Sequence, residues 1–143
     1  MTNLSLAKAN KMIRAAFAKA DEMGLKPLAV CVHDAGGNLK AFQSQDGASI
    51  GRFAIAGGKV RAALATGTGS RWLNSQAGDR PHFVAGVTSV IEGGAIPAPG
   101  GVIARDKKGA IVAAVGISGD NSDNDETCAV AGIEAVGFVA DIG

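Results

Sequence analysis

Residues 102–118 of the chain read VIARDKKGAIVAAVGIS, and this stretch decides the fold. Two apolar segments rich in β-branched residues, Val102–Arg105 and Ala110–Ser118, flank the turn-forming residues Asp106–Gly109. The pattern predicts a β-hairpin, because Asp and Gly favour tight turns and β-branched side chains favour strands. Since a hairpin joins neighbouring antiparallel strands, the stretch indicates an antiparallel sheet.

A second hairpin is predicted earlier in the chain. The apolar segment Leu28–Val32 is followed by the turn Asp34–Asn38 and by a return strand over Leu39–Gln43. Parallel strands need a crossover of about a dozen or more residues, and neither pair of segments leaves room for one. Two hairpins in one chain therefore favour an antiparallel sheet over a parallel, crossover-linked sheet.

Helices and one further strand are predicted around the two hairpins. Ser5 caps the first helix, whose apolar residues recur with helical spacing on one face, and Gly24 ends it. The other predicted elements are a helix over Ile50–Thr66, a short helix from Ser70 through Leu73, a strand over Phe83–Ile91, a loop over Gly93–Gly101 and a last helix from Asn121 to about Ala140. In this order the elements predict an α/β (α+β) fold, in which helices pack on an antiparallel sheet.

The composition limits the class of protein. The chain of 143 residues fits one domain, predicted over 1–143, and its net charge of +1 gives no reason to expect a nucleic-acid partner. No apolar run reaches membrane-spanning length and no basic-then-apolar leader is visible after Met1, so we predict no membrane partner and a cytoplasmic location. In that compartment the two cysteines, Cys31 and Cys128, are expected to be free buried thiols.

The core is expected to consist largely of small side chains. Aromatic residues make up only 4% of the chain, and 21 residues are glycine. Because small side chains each bury little apolar area, burial is predicted to be completed by contacts between subunits. The Ala- and Gly-rich segment Ile55–Ala65 also permits close packing of another chain. We therefore predict a homo-oligomer with closed symmetry, at least a dimer.

Three stretches together resemble one protein family. They are Ala29–Leu39, with its Asp-x-Gly-Gly turn, the Gly- and Pro-rich loop Gly93–Val102, and Gly109–Asp120 followed by Asp125-Glu126 and Ala131-Gly132-Ile133. In this order they are similar to the GlcG/HbpS-like haem-binding family, also called the haem-degrading domain family and found as the C-terminal domain of PduO-type proteins. The resemblance implies a profilin-like fold, with a five-stranded antiparallel sheet flanked by helices. It also implies a homo-oligomer and, as described for some members, haem or a related tetrapyrrole as the cofactor.

The middle helix departs from the family pattern. Relatives commonly read Asp-Lys-Ala-aromatic-Thr-Ala there, whereas this chain reads Gly58-Lys59-Val60-Arg61-Ala62-Ala63. Lys59 matches, but Arg61 stands in the aromatic position and Ala62 in that of the threonine. If the missing hydroxyl contacts a ligand in relatives, the ligand of this chain differs from theirs.

Few side chains in the sequence are able to ligate haem iron. The iron accepts imidazole, thiolate, thioether or phenolate ligands, and the chain has two histidines, two cysteines, three methionines and no tyrosine. His33 ends a strand beside Asp34, whose carboxylate would hold one ring nitrogen and orient the other towards a metal. The alternative is a strand-end histidine bound by the backbone of the turn. His82 follows Arg80-Pro81 and is expected in an exposed loop.

Two glycine-containing segments are candidate ligand contacts. The loop Gly93–Gly101, which ends in Gly100 and Gly101, is stiffened by prolines and is predicted to form a pocket wall, with a subunit contact or a plain crossover as the alternatives. The backbone around Ser118 leads from a strand to a helix start, where free N–H groups would receive a carboxylate or phosphate. Helix capping is the alternative for this second segment.

Two cations of the middle helix complete the predicted site. Lys59 and Arg52 would bind propionates or another small acid. The alternative is that both side chains are solvated charges on the protein surface. His33, Asp34, Lys59 and the Gly93–Gly101 loop are predicted to line one pocket for a small-molecule ligand.

Two classes of function fit these residues. The first is a small-ligand-binding protein, with haem or another tetrapyrrole as the predicted ligand and a small organic acid as the second choice. The alternative is a catabolic-pathway enzyme that uses Lys59, His33 or Asp34 for proton transfer on a small carboxylate or carbonyl compound. A structural or regulatory oligomer is a third alternative, and the sequence leaves the choice between binding and catalysis open.

Overall fold

A five-stranded sheet forms the centre of the computed structural model, which describes residues 4–143. Met1 to Asn3, which the predicted domain includes, lie outside the described residues. The elements along the chain are α1 (Leu6–Met23), β1 (Ala29–Asp34), β2 (Leu39–Ser44), α2 (Arg52–Thr66), α3 (Arg71–Gln76), α4 (Pro81–Val90), β3 (Gly101–Arg105), β4 (Ile111–Ser118), α5 (Ser122–Ala135) and β5 (Val139–Asp141). The strand order is β2-β1-β4-β3-β5, and every neighbouring pair is antiparallel. The predicted α+β class, a five-stranded antiparallel sheet flanked by helices, is confirmed.

Both predicted hairpins are present, and an aspartate closes each turn. The Asp34 carboxylate accepts hydrogen bonds from the backbone N–H groups two and four residues further on, and Asp106 does the same in the second hairpin. Gly37 and Gly109, three residues after each aspartate, have φ angles of 85° and 87°, which a side chain would strain. Local hydrogen bonds therefore shape each turn without help from the rest of the fold.

Helices cover both faces of the sheet. On one face α1 and α5 pack around Met12, Ile117 and Ile133, all of which are fully buried. On the other face α2 packs over Cys31 and Ile103. The sheet thus separates two apolar layers, and the candidate site lies on the α2 side.

The helix α2 lies close against β3 and β4 at two glycines. A Cβ added to Gly116 would overlap the backbone oxygen of Ala56, and one added to Gly101 would overlap that of Lys59. Because no side chain fits at these two positions, glycine there lets the middle of α2 lie directly on the sheet.

The segment predicted as a strand over Phe83–Ile91 belongs to the helix α4, so that prediction is wrong. Pro81 occupies the first turn of the helix, where its fixed φ is favourable and no N–H is required. Val84 and Val87 lie on one face of the helix and pack with Leu73 of α3. This tertiary packing stabilises a helix, although the β-branched composition of the segment by itself favours a strand.

The last helix ends earlier than predicted, and the fifth strand follows it. The helix α5 ends at Ala135 rather than near Ala140, and Gly137 then takes a φ of 82°. The chain turns back so that β5 pairs with the outer edge of β3. Nη2 of Arg105 lies 2.8 Å from Oδ2 of Asp141, and this contact holds the short strand in place.

No helix within residues 4–143 is long and apolar enough to cross a membrane. The cytoplasmic location stays a prediction. Both cysteines are free and buried, as predicted, with Cys31 beneath α2 and Cys128 in the core between α5 and the sheet.

Candidate functional site

His33 is the next-to-last residue of β1, and its side chain lies on the face of the sheet that α2 covers. Cys31, two residues earlier on the same strand, packs under α2, and alternate residues of a strand share a face. Nδ1 of His33 lies 3.0 Å from the carbonyl oxygen of Gly37. Because a carbonyl only accepts hydrogen bonds, Nδ1 carries the proton. In the neutral ring Nε2 then holds a lone pair.

The other ring nitrogen of His33 is the feature that points to a ligand. Nε2 is buried, and it has no hydrogen-bond partner within the described part of the chain. Buried polar atoms are normally hydrogen-bonded, so Nε2 is suited to a partner that is not part of this chain. An oriented imidazole lone pair binds a metal ion or accepts a proton donor of a ligand.

Asp34 shapes the turn and does not hold the imidazole. Its carboxylate accepts hydrogen bonds from the backbone of Gly36 and from the backbone and side chain of Asn38. These hydrogen bonds, led by the one from the Asn38 backbone, hold the pKa of Asp34 below its usual value. The carbonyl of Gly37 takes the place of Asp34 beside His33, which is the turn-backbone alternative of the sequence analysis.

A cleft of about 390 Å³, here called the α2 cleft, lies between this turn and α2. Its lining comes from the turn, from α2 and from the end of α4, and consists of Ala35, Gly36, Gly37, Val60, Arg61, Leu64, Ala65, Ile91 and Glu92. Gly37 lines the cleft and also contacts His33. The imidazole therefore lies directly behind the wall of the α2 cleft.

Arg61 separates the α2 cleft from an adjoining groove of about 270 Å³ and lines both. Its guanidinium donates from Nε to the carbonyl of Gly94 (2.6 Å) and from Nη2 to the carbonyl of Gly93 (3.0 Å). Both glycines have positive φ angles, 84° for Gly93 and 79° for Gly94. Arg61 thus fastens a turn that residues with a Cβ rarely adopt.

Lys59 is buried in an ion pair. Its Nζ lies 3.1 Å from Oδ2 of Asp125 and donates a hydrogen bond of 2.9 Å to the carbonyl of Ile117. Burial lowers the pKa of Lys59 and raises the pKa of Asp125. The pair ties α2 to β4 and α5, and the alternative of a solvated Lys59 is wrong.

Three further predicted site residues surround Lys59 and form with it the Lys59 cluster (Lys59, Gly100, Gly101 and Ser118). A Cβ on Gly100 would lie 2.9 Å from Nζ of Lys59, and one on Gly101 would overlap its backbone. Ser118 is buried, and its Oγ accepts a hydrogen bond of 3.2 Å from Nη1 of Arg52. The Lys59 cluster is therefore a packed junction of the fold.

The family assignment rests on a match that covers nearly the whole chain. Residues 4–134 match the family described as Haem degrading protein HbpS-like. The chain belongs to the HbpS-like family. This result confirms the resemblance carried by the three sequence stretches. Among curated proteins, none matches the chain.

Solved structures share the fold of this HbpS-like chain. PduOC in complex with haem has a TM-score of 0.84 and 24% identity, covering 96% of this chain and 97% of that chain. A double mutant of Streptomyces reticuli HbpS has a TM-score of 0.82 and 29% identity, covering 96% and 89%. Klebsiella pneumoniae protein ORFY has a TM-score of 0.82 and 23% identity, covering 94% and 92%. The likeness extends over nearly the full length of each chain.

The predicted site residues of this HbpS-like chain are divided between two places. Ala29 of β1 pairs with Ser118 of β4, whereas His33 pairs with Ala114. Ser118 therefore lies four residues of strand, roughly 13 Å, from the β4 partner of His33. The α2 cleft, whose wall contacts His33, is lined by no residue of the Lys59 cluster.

The sequence analysis misses Arg61 of the HbpS-like chain as a site residue and misplaces His82. Arg61 lines both cavities, and sequence reasoning does not single it out as a site residue, although the departure from the family pattern falls on it. His82 is exposed in the first turn of α4 and not in a loop. Near Ser118 the side chain of Asn121 caps α5 by accepting from the backbone of Asn124, which is the capping alternative.

Proposed function

We propose that this HbpS-like chain binds haem or a related tetrapyrrole in the α2 cleft, with Nε2 of His33 as the ligand of the metal. The observation that carries the proposal is the buried Nε2, which has no hydrogen-bond partner within residues 4–143. The Gly37 carbonyl holds the proton on Nδ1 and leaves the lone pair on Nε2. A neutral imidazole in this form is a ligand for haem iron.

The walls of the α2 cleft suit a flat apolar ligand with acidic substituents. Val60, Leu64 and Ile91 line it with aliphatic groups, and Arg61 supplies a cation at its edge. The volume of about 390 Å³ lies in the usual range for small-molecule sites. Besides Arg61 the lining holds one other charged residue, Glu92, and the predominance of apolar walls favours a tetrapyrrole over a small polar acid.

The turn Ala35–Gly37 separates His33 from the α2 cleft. All three of its residues are exposed, whereas the imidazole behind them is 9% exposed. Contact between a ligand and the buried Nε2 therefore requires the surroundings of the imidazole to rearrange while Nδ1 keeps its contact with Gly37. We expect ligand binding to change the surroundings of the turn more than those of the buried Lys59 cluster.

Two comparisons support haem as the ligand. The description of the family names haem degradation, and the PduOC structure, which shares the fold, contains haem. Haem held by Nε2 of His33 would supply an iron that binds a small molecule. Lys59 and Asp34 are held within the fold by their own hydrogen bonds, so no observation favours them as proton-transfer groups.

Absorbance titration with haemin tests the proposal. For the unmodified chain we expect a shifted Soret band that saturates near one haem per chain. His33→Ala removes the metal ligand and is expected to abolish that band or to change its position. His82→Ala is the matched control, because His82 is exposed on α4 and is expected to leave the spectrum unchanged.

A Soret band of unchanged position and amplitude in His33→Ala would contradict His33 as the ligand. If His82→Ala abolishes saturable haemin binding and His33→Ala does not, the haem site lies on α4 and not at His33. A thermal melt of each variant shows whether the fold is intact before the spectra are compared.

We further propose that the chain is a homo-oligomer. Ile50 and Phe53 near the start of α2, and Val90 at the end of α4, are large apolar residues with exposed side chains. They lie on or next to the helices that line the α2 cleft and the adjoining groove. A second copy of the chain that covers them would remove apolar area from water.

A further inference from the structure

We propose that Arg61 selects ligands with a free carboxylate and binds that carboxylate at the boundary between the α2 cleft and the adjoining groove. The inference rests on the proposed function, because it takes the α2 cleft as the ligand site. It specifies the class of ligand: acidic tetrapyrroles bind, and their neutral esters bind more weakly.

Most hydrogen-bond donors of the Arg61 guanidinium are unused within residues 4–143. A guanidinium carries five N–H groups, of which one on Nε and one on Nη2 donate to the Gly94 and Gly93 carbonyls. Nη1 lies beside Gly57, where an added Cβ would come within 3.2 Å of it. Glycine in this turn of α2 therefore leaves room for Nη1.

No carboxylate within the described part of the chain neutralises Arg61. The ion pairs found there all involve other cations. Glu92 lines the same cleft, yet it forms no ion pair with Arg61. A half-buried guanidinium without an acidic partner attracts an anion, and its planar fork matches the geometry of a carboxylate.

The guanidinium is held in place by its own loop. Besides the two carbonyl contacts of Arg61, the backbone N–H of Ile96 donates to the carbonyl of Gly58 at 3.0 Å. A Cβ on Gly58 would lie 2.5 Å from Cγ1 of Ile96, so the loop packs tightly on α2. Because the side chain is ordered before a ligand arrives, binding of a carboxylate loses little conformational entropy.

A purely structural role for Arg61 makes a different prediction. If Arg61 only fastens the Gly93-Gly94 turn, its replacement disturbs the cleft and weakens all ligands alike. If it binds a carboxylate, the replacement weakens only ligands that carry one. Paired ligands that differ in nothing but the carboxylate therefore separate the two roles.

The experiment titrates the full chain with metal-free protoporphyrin IX and with its dimethyl ester, following porphyrin fluorescence. Without a metal, ligation by His33 does not contribute to the affinity. We expect the unmodified chain to bind the diacid about tenfold more tightly than the ester, as for a hydrogen bond to a charged group. Arg61→Gln removes this preference and leaves the ester affinity unchanged. Arg61→Lys keeps the positive charge but loses the planar guanidinium, so it is expected to retain part of the preference for the diacid.

Arg52→Gln is the matched control, because Arg52 belongs to the same helix and contacts Ser118 outside the α2 cleft. It is expected to keep the full preference for the diacid. Equal affinity of the unmodified chain for both ligands overturns the role of Arg61 and leaves the proposed function standing. If Arg61→Gln lowers the affinity for the diacid and for the ester equally, the role of Arg61 is likewise overturned and the proposed function stands. Failure of both porphyrins to bind the unmodified chain overturns the inference, whereas the haemin titration decides the proposed function.

Discussion

Nζ of Lys59 lies 3.1 Å from Oδ2 of Asp125, and at most 3% of either side chain is exposed. The same ammonium donates to the carbonyl of Ile117, so one side chain connects α2, β4 and α5. At this depth neither charge is solvated by water. Each partner therefore depends on the other, and the pair is a structural tie.

Replacement of Lys59 by Ala is expected to lower the free energy of unfolding. The change leaves the Asp125 carboxylate buried without a cation, at a cost of about 3–5 kcal/mol. The double variant Lys59→Met with Asp125→Leu removes both charges and is expected to recover most of the loss. Urea unfolding of the three proteins measures the effect. An unchanged midpoint for Lys59→Ala would show that the ion pair contributes nothing to stability.

Asp120 is expected to make stability depend on pH in the acid range. It accepts hydrogen bonds from the side chain of Asn124 and from the backbones of Lys26 and Asn121, and these lower its pKa to about 2. A group with a lowered pKa stabilises the fold above its unfolded pKa of about 4, and this contribution is lost as the pH falls towards 2.

The variant Asp120→Asn tests this dependence. Its melting temperature is expected to lie below that of the unmodified chain at pH 7, and the two are expected to converge between about pH 4 and pH 2. Circular dichroism melts across this range measure the difference. A difference that stays constant with pH would show that the charge of Asp120 is not responsible.

Alanine substitution at two glycines is expected to have opposite effects on stability. Gly116→Ala places a Cβ against the backbone oxygen of Ala56 and forces α2 away from the sheet. We expect a loss of about 1–3 kcal/mol or more. Gly86 lies within α4 with nothing within 4 Å of an added Cβ. Gly86→Ala is expected to stabilise the chain by about 0.5–1 kcal/mol, because alanine favours a helix.

Denaturant unfolding of the two alanine variants gives the comparison directly. Unchanged stability of Gly116→Ala would contradict the close approach of α2 to β4. Destabilisation by Gly86→Ala would indicate that a neighbour, such as a second subunit, lies against α4.

The proposed oligomer depends on exposed apolar side chains such as Phe53. This residue is 46% exposed, and its ring packs edge-on against Phe42, with 4.6 Å between ring centroids. We expect light scattering to give a mass of at least twice the 14.2 kDa of the chain. Phe53→Asp is expected to lower that mass, because a carboxylate at an apolar interface is costly. Val139→Asp, at a 55% exposed position on β5, is the control.

A mass near 14.2 kDa for the unmodified chain at micromolar concentration would exclude a stable oligomer. In that case the small-residue core must suffice for the stability of the single chain. A lower mass for Val139→Asp alone would place the interface at the edge of the sheet.

Much of the fold is predictable from local chemistry. Asp34 and Asp106 form turns through hydrogen bonds to residues two and four positions away, and Gly37 and Gly109 supply the positive φ angles. Such interactions depend only on neighbouring residues, so a sequence pattern is sufficient to recognise them. The same holds for Ser5, which caps α1 through the backbone N–H of the residue three positions on.

The helix α4 and the strand β5 are not predictable in this way. Val84 and Val87 are compatible with a strand until Leu73 and its neighbours provide a surface for a helical face. The last strand forms because the outer edge of β3 is available to pair with it. Both outcomes depend on residues distant in sequence, and local propensity is weaker than such packing.

The candidate site likewise has features that local sequence predicts and features that only tertiary packing decides. By itself the sequence determined the hairpins, the antiparallel sheet, the family and the presence of His33 at a strand end. Only the tertiary structure decided that Lys59 is buried against Asp125, that the Lys59 cluster lies apart from His33, and that Arg61 lies between two cavities. The reason is physical: short-range hydrogen bonds and turn angles are encoded in neighbouring residues, whereas burial and counter-charges arise when distant segments pack together.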